Sequence, residues 1–447
     1  MNKIRQRLIL AGLVLAFIIL VPSIVYYSEG YRLIFESGNK VLVVKTGGIS
    51  VKTYPSGASV FIDGKLSKKT NLLMDQAFIT DLLPKSYKVL VTRDGYLPWE
   101  KTLIVKEQDV TSAKNILFIK NKIEFGNVFD LLPNQPTTTL PIKEFLFSPN
   151  NSDIAVITKS NTSTAVTIIN LERGMTREIV SASSRVAEIA NLRWSSDSQR
   201  IMVDYNIGYK KNYLVSDIGQ DQKPTTTNDI VKAFGVLANQ DTTNISQVAQ
   251  DAVCYTVSND LVWVSKDGFI YRSGLSGKTA EVLSLKPLVL DYQECRVIEK
   301  NNDLFVFVGS NLYYLDRTNS IFNKIADNAK NISFCNDESK VAFSDNGNLS
   351  VYYLKNKEFE DVARKKGEKI LIAKLQNSDT QISWIGDNHL LVNDGAKIII
   401  TETDNRENVN MATIAQYDNP TIFFNQRDKK AYILSQENLY LSERIVP

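Results

Sequence analysis

The chain has 447 residues, enough for about three ordinary domains. Its 52 Lys and Arg nearly balance 49 Asp and Glu, leaving a net charge of +3 and no electrostatic case for nucleic acid as a partner. Hydrophobic residues at 43% exclude wholesale disorder, and a single histidine, His389, excludes any multi-histidine metal site.

Residues 1–7 carry Lys3, Arg5 and Arg7 without an acid and form a basic tail. Residues 8–27 then run uncharged from Leu8 to Tyr27. Twenty residues rising about 1.5 Å each cross a hydrocarbon core of roughly 30 Å. The basic flank predicts a cytoplasmic N-terminus, a single-pass anchor in the cell membrane and an extracytoplasmic bulk. Tyr26 and Tyr27 fall where an outer aromatic belt sits. A cleaved signal peptide is the rival reading, but Ser28-Glu29-Gly30-Tyr31 is not a small-x-small cleavage site. No cysteine stands near the segment to accept a lipid. Residues 28–45 read as a linker.

Residues 46–110 alternate. Ile49 to Tyr54 has the period of a half-buried strand, and Pro55-Ser56-Gly57-Ala58 ends it. Val60-Phe61-Ile62 leads to Asp63-Gly64, a strong hairpin signal. Further strands cover Tyr87 to Val91 and Thr102 to Val105, so four or five strands predict a small antiparallel sandwich. ISVKTYPSGASVFIDGK followed by LLPKSYKVLVTRDGYLPWEKTLIV resembles a PEGA domain, with Ser56 in place of the usual Glu and Gly95-Tyr96 at the late Gly-Tyr. The resemblance implies an extracytoplasmic module that is structural or adhesive rather than catalytic.

Residues 120–447 repeat. An apolar strand ends on an anchor residue, a polar turn of about six residues follows, and a second apolar strand returns. Phe147, Trp194, Phe334, Trp384 and Phe424 anchor clear copies; Cys254 and Val297 anchor weaker ones. Seven copies spaced about 46 residues apart predict a β-propeller of seven blades, with six or eight as alternatives. FIYRSGLSGKTAEVLSL, residues 269–285, is similar to part of a TolB-type blade, and the repeats resemble TolB-type and WD-repeat propellers. The interval from 194 to 254 holds one additional loop, with Pro224 and a run of Thr. The last copy runs out of chain before a fourth strand. Residues 122–129 alternate and belong to no other copy, so they are predicted to close the ring beside residues 438–442. The fold class expected is therefore all-β: a transmembrane helix, a small PEGA-type sandwich and a propeller.

Chemistry is sparse. Gly277-Lys278-Thr279 lacks the upstream glycine of a phosphate-binding loop, because Arg272 stands there. Asp153, Asp197, Asp260, Asp303 and Asp337 fit turns better than calcium loops. His389 is expected to be a solvated turn residue. The spacing of Cys254, Cys295 and Cys335 fits no metal pattern, and buried apolar roles are expected; at most one intrachain disulfide can form. Trp99, Trp194, Trp263 and Trp384 are expected in cores. No catalytic, cofactor or metal residue is assigned. The expected function is an anchored extracytoplasmic scaffold whose propeller docks an envelope protein or glycan, with the small domain as a spacer. A propeller enzyme on envelope glycan or peptide and a purely structural surface-layer component are the alternatives.

Overall fold

The computed structural model describes residues 3–36, 40–70, 76–131, 141–183, 188–208, 210–218, 251–257, 260–274, 280–290, 294–330, 332–377 and 380–446. Gly277-Lys278-Thr279 and nearly all of 216–250 lie outside them. One helix, Lys3–Ser28, opens the chain. Its stretch Ile9–Ser28 is long and apolar enough to cross a membrane, and its side chains are exposed along its length.

Two features depart from the expected boundaries. Residues 28–45 are not a plain linker, because Tyr31–Glu36 and Lys40–Lys45 pair as a hairpin. The small domain also continues past residue 110. Its strand Gly47–Tyr54 is flanked by Gln76–Leu82 and by Val110–Leu117, and the second pairing is parallel. A four-stranded sheet packs against this one, in the order Lys65–Lys69, Ser59–Ile62, Ser86–Thr92, Trp99–Ile104. The expected sandwich is therefore present, but with seven strands and one parallel pair. Asp63 (φ 48°) and Gly64 (φ 79°) make the turn the Asp-Gly pair implies. Ile49, Val51, Val60, Val89, Val91, Leu103 and Ile116 fill the interior.

Seven antiparallel sheets follow among the described residues, spanning 142–183, 188–217, 252–282, 295–326, 332–374, 382–416 and 421–442. They are called the first to seventh sheets below. Consecutive sheets share apolar cores: first with second, third with fourth, and onward to sixth with seventh. The first and seventh also share one, through Phe147, Ile154, Tyr432 and Leu439, so the two ends of the array meet; among the described residues no such core joins the second and third. Closure is completed by Phe125–Asn127, which pairs with Asn438–Ser442: Phe125 faces Ser442 and Asn127 faces Tyr440. The expected closing strand is thus observed.

The anchors show how the sheets adhere. Those of the clear copies reach back to the sheet before them. Phe147 stacks on Phe423 of the seventh sheet at 4.2 Å. Trp194 donates its Nε1 hydrogen to the Leu146 carbonyl of the first sheet, at 3.1 Å. Trp384 does the same to Ser333 of the fifth, at 2.8 Å. Truncating Trp194 or Trp384 to alanine is expected to cost about 3–5 kcal/mol, measured by denaturant unfolding. A loss below about 1 kcal/mol for both would contradict this packing role.

The weak copies were expected at the wrong anchors. In strong copies the anchor pairs with the first apolar residue of the next strand, as Trp194 does with Ile201. In the third sheet Val257 holds that place opposite Leu261, not Cys254. In the fourth Glu299 holds it opposite Leu304, not Val297. There the hairpin turns on Asn301 and Asn302 alone, both at positive φ, which shortens the loop and moves the register. Glu299 still reaches the preceding sheet, where it pairs with Arg272.

Cysteine behaviour also differs from expectation. Cys254 and Cys295 are disulfide-bonded, with Cα atoms 5.4 Å apart, and only Cys335 is a buried free thiol. Their separation of 41 residues is close to the repeat length, so they occupy neighbouring first strands of the third and fourth sheets.

Candidate functional site: the junction of the small domain and the ring

The strand Trp99–Ile104 buries alternate residues, and alternation should place an apolar side chain at 101. Lysine stands there instead, with no exposed surface. Its ammonium lies 2.7 Å from Glu402 and 3.4 Å from Asp404, both in the sixth sheet's segment, and donates to the Asp404 carbonyl at 2.7 Å. Burial of a charge is tolerable only with such partners. Glu402 is saturated: it accepts from Trp99 Nε1 at 2.8 Å and from the Asn410 amide and side chain. Burial would raise the Asp404 carboxyl, but hydrogen bonds from Arg406 and the Lys101 charge outweigh it and hold the group below its ordinary value. Arg406 also pairs with Asp361.

A second grip comes from an inserted hairpin. The fifth sheet runs from Asn348–Tyr353 to Lys369–Lys374, and between them Lys357–Phe359 pairs with Val362–Arg364. Glu360 sits at its tip, at φ 57°. It accepts from the Lys114 and Asn115 amides and from the Asn115 side chain at 2.7 Å. Asn388 donates to Asn115 at 2.8 Å. Leu117 and Ile119 complete the contact by joining the core of the sixth and seventh sheets.

His389 lies under this junction. The sixth sheet's turn is one residue shorter than in most copies, so His389 begins the strand His389–Asp394 opposite Ile385. It is buried, not a solvated turn residue. Burial, aided by the Lys340 and Lys101 charges against Asp404, pushes its pKa down to about 3. The ring is neutral in the folded protein, whereas an unfolded histidine titrates near 6.5. Its contribution to stability is therefore complete above pH 6.5 and is lost as pH falls toward 3. The unfolding midpoint is expected to drop with acid across that window, and His389→Gln to flatten part of the drop. An identical pH profile in the variant would contradict the assignment.

The remaining polar residues are structurally employed. Lys340 is buried and lowered to about 8 by burial; it donates to the Asp387 carbonyl and to Asn388. Asp197 accepts from Ser195 and the Gln199 amide, and Asp303 from the Tyr314 hydroxyl, as turn and packing groups do. Among the described residues, Cys335, Asp337 and Asp387 approach one another closely enough to suggest a metal. Lys357 already pairs with Asp337, and the Asp337 amide binds Asp387. Trp263 stacks on Tyr271 at 5.5 Å within its own sheet. On the ring's own surface, a cleft of about 390 Å³ between the fourth and fifth sheets is lined by Tyr314, Asp316, Tyr352, Lys366 and Lys369. Lys101, Glu360 and Glu402 were not singled out from the sequence. A lysine inside an alternating apolar strand was the one available signal.

An array of sheets whose first and last members meet, a small sandwich and an apolar helix together define a β-propeller protein with a candidate membrane anchor. The small domain is a PEGA domain: that family matches residues 46–118. No curated protein matches the chain in sequence. Among solved structures, the β-propeller domain of Cps50 (Swd1) from Myceliophteria thermophila is similar at 11% identity, covering 70% of this chain and 98% of that one, with a TM-score of 0.42. YCF48 from Cyanidioschyzon merolae is similar at 9% identity, covering 72% and 98%, with a TM-score of 0.39. Virginiamycin B lyase from Staphylococcus aureus is similar at 12% identity, covering 72% and 99%, with a TM-score of 0.38. The propeller assignment rests on the chain's own sheet order and on the core shared by its first and last sheets.

Proposed function

We propose that this chain is a membrane-anchored extracytoplasmic scaffold whose propeller presents a binding surface to an envelope protein or glycan. The observation that carries this reading is the built junction. Trp99, Lys101, Asn115 and Leu117 fix the small domain to the fifth, sixth and seventh sheets. At its other end Thr46 donates to Gly30, two residues past the apolar helix. The helix therefore connects to the ring through packed structure, as suits a device that holds a recognition surface at a fixed place. The Cys254–Cys295 disulfide supports export, because such bonds persist in oxidising compartments. An epitope fused to the C-terminus is expected to be removed by protease added to intact spheroplasts. Full protection there, with cleavage once detergent is added, would overturn the location. The docking reading is tested by crosslinking intact membranes: capture of an envelope protein or glycan on the propeller supports it, and recovery of the uncrosslinked chain alone contradicts it.

A further inference from the structure

We propose that the hairpin of residues 31–45 lies on the outer surface of the lipid bilayer, with the face bearing Leu33 and Val43 at the boundary between headgroups and acyl chains. This rests on the reading of Ile9–Ser28 as a membrane span. Leu33 and Val43 are directly paired across the two strands, so they share one face. They are 62% and 63% exposed among the described residues. Tyr31 shares that face by the two-residue period of a strand. Its ring meets Tyr26, inside the apolar helix, edge to face at 5.3 Å. The apolar face of the hairpin is thus continuous with the segment that spans the lipid.

On the opposite face, which also bears the exposed Leu42, Arg32 engages the protein. It lies 2.5 Å from Asp81 of the small domain and stacks over Tyr27 at 3.6 Å. Only Glu29 and Gly30 separate the helix from the hairpin, so the hairpin's root stands at headgroup depth. Six-residue strands reach about 20 Å from that root. Held upright, the hairpin would carry Leu33 and Val43 into water; held flat, it buries them. Tyr26, Tyr27 and Tyr31 supply the aromatic rings that favour this depth. Burial of the two exposed side chains is favourable by the ordinary hydrophobic term, and the helix already tethers them at the surface.

The test uses the full chain, reconstituted in vesicles of phosphatidylglycerol and phosphatidylethanolamine. Single nitroxide labels are placed through Leu33→Cys, Val43→Cys, Leu15→Cys and Met175→Cys, and collision with oxygen is compared with collision with a water-soluble nickel chelate. Leu15 lies mid-helix, and Met175 is an exposed residue of the first sheet. Labels at 33 and 43 are expected to favour oxygen, as at 15, while 175 favours nickel. Lipid-like behaviour at 15 with water-like behaviour at 33 and 43 would overturn the hairpin proposal and leave the anchor standing. That outcome would leave the face to a protein partner. Water-like behaviour at 15 would overturn the anchor itself, and the proposal with it.

Discussion

Deleting residues 122–129 is expected to destabilise the whole propeller, not merely shorten a connection. The segment supplies the outer strand of the seventh sheet, and Val128 is buried between the first and last sheets. The Val128 amide donates to Leu439 at 2.9 Å, and the Glu443 amide donates to Glu124 at 2.8 Å. Loss of these bonds, of the buried valine and of the strand pairing amounts to about 4–6 kcal/mol. Because closure joins sheets far apart in sequence, its loss should reach them all. Hydrogen exchange in the sheet spanning 295–326, remote from the deletion in sequence, should accelerate. The milder Val128→Ala should cost about 2 kcal/mol in chemical denaturation. Unchanged exchange in that remote sheet would mean that the ring does not depend on this closure.

Replacing Lys101 with methionine is expected to release the small domain from the propeller. The change leaves Glu402 buried without its countercharge, and breaking a buried pair typically costs about 3–5 kcal/mol. Asp404 keeps Arg406, so the damage centres on Glu402. The double variant Lys101→Met with Glu402→Gln should recover much of the loss. Its neutral amide can still accept from Trp99, and no charge is stranded. Calorimetry should show two separated transitions in the single variant and a rejoined one in the double. A single variant that melts as wild type, or a double variant worse than the sum of both changes, would refute this account.

The repeat was legible because its signals are local. An aromatic residue, a polar turn and a returning apolar strand recur, and their spacing alone defines a blade. The closing strand was legible by a different logic, since 122–129 alternated and no other sheet claimed it. The fourth sheet misled because Glu299 stands where the clear copies carry an aromatic, and its hairpin turns on two asparagines. The disulfide was readable in principle: Cys254 and Cys295 are about one repeat apart, and equivalent positions on adjacent first strands are neighbours in space. The junction was not readable. Lys101 stands out only as a lysine at an apolar position of its strand, and its partners Glu402 and Asp404 are placed beside it only by the tertiary fold. His389 was misjudged because one missing turn residue moves it from loop to strand. The hairpin at 31–45 carries two apolar runs, Leu33-Ile34-Phe35 and Val41 to Val44, instead of alternation, so the expected linker hid it.

The parallel pairing of Gly47–Tyr54 with Val110–Leu117 bears on how the protein carries load. The chain enters the first of these strands at the end nearest the apolar helix. It leaves the second at Leu117, against the propeller. A pull on the propeller, resisted by the helix, therefore draws the two strands lengthwise past each other. Every hydrogen bond between Gly48–Val110 and Tyr54–Leu117 is strained at once, so none can open ahead of the rest. An antiparallel exit would have placed both attachments at one end and let the ladder peel bond by bond. Under such a pull the small domain would act as a tie-rod loaded in shear.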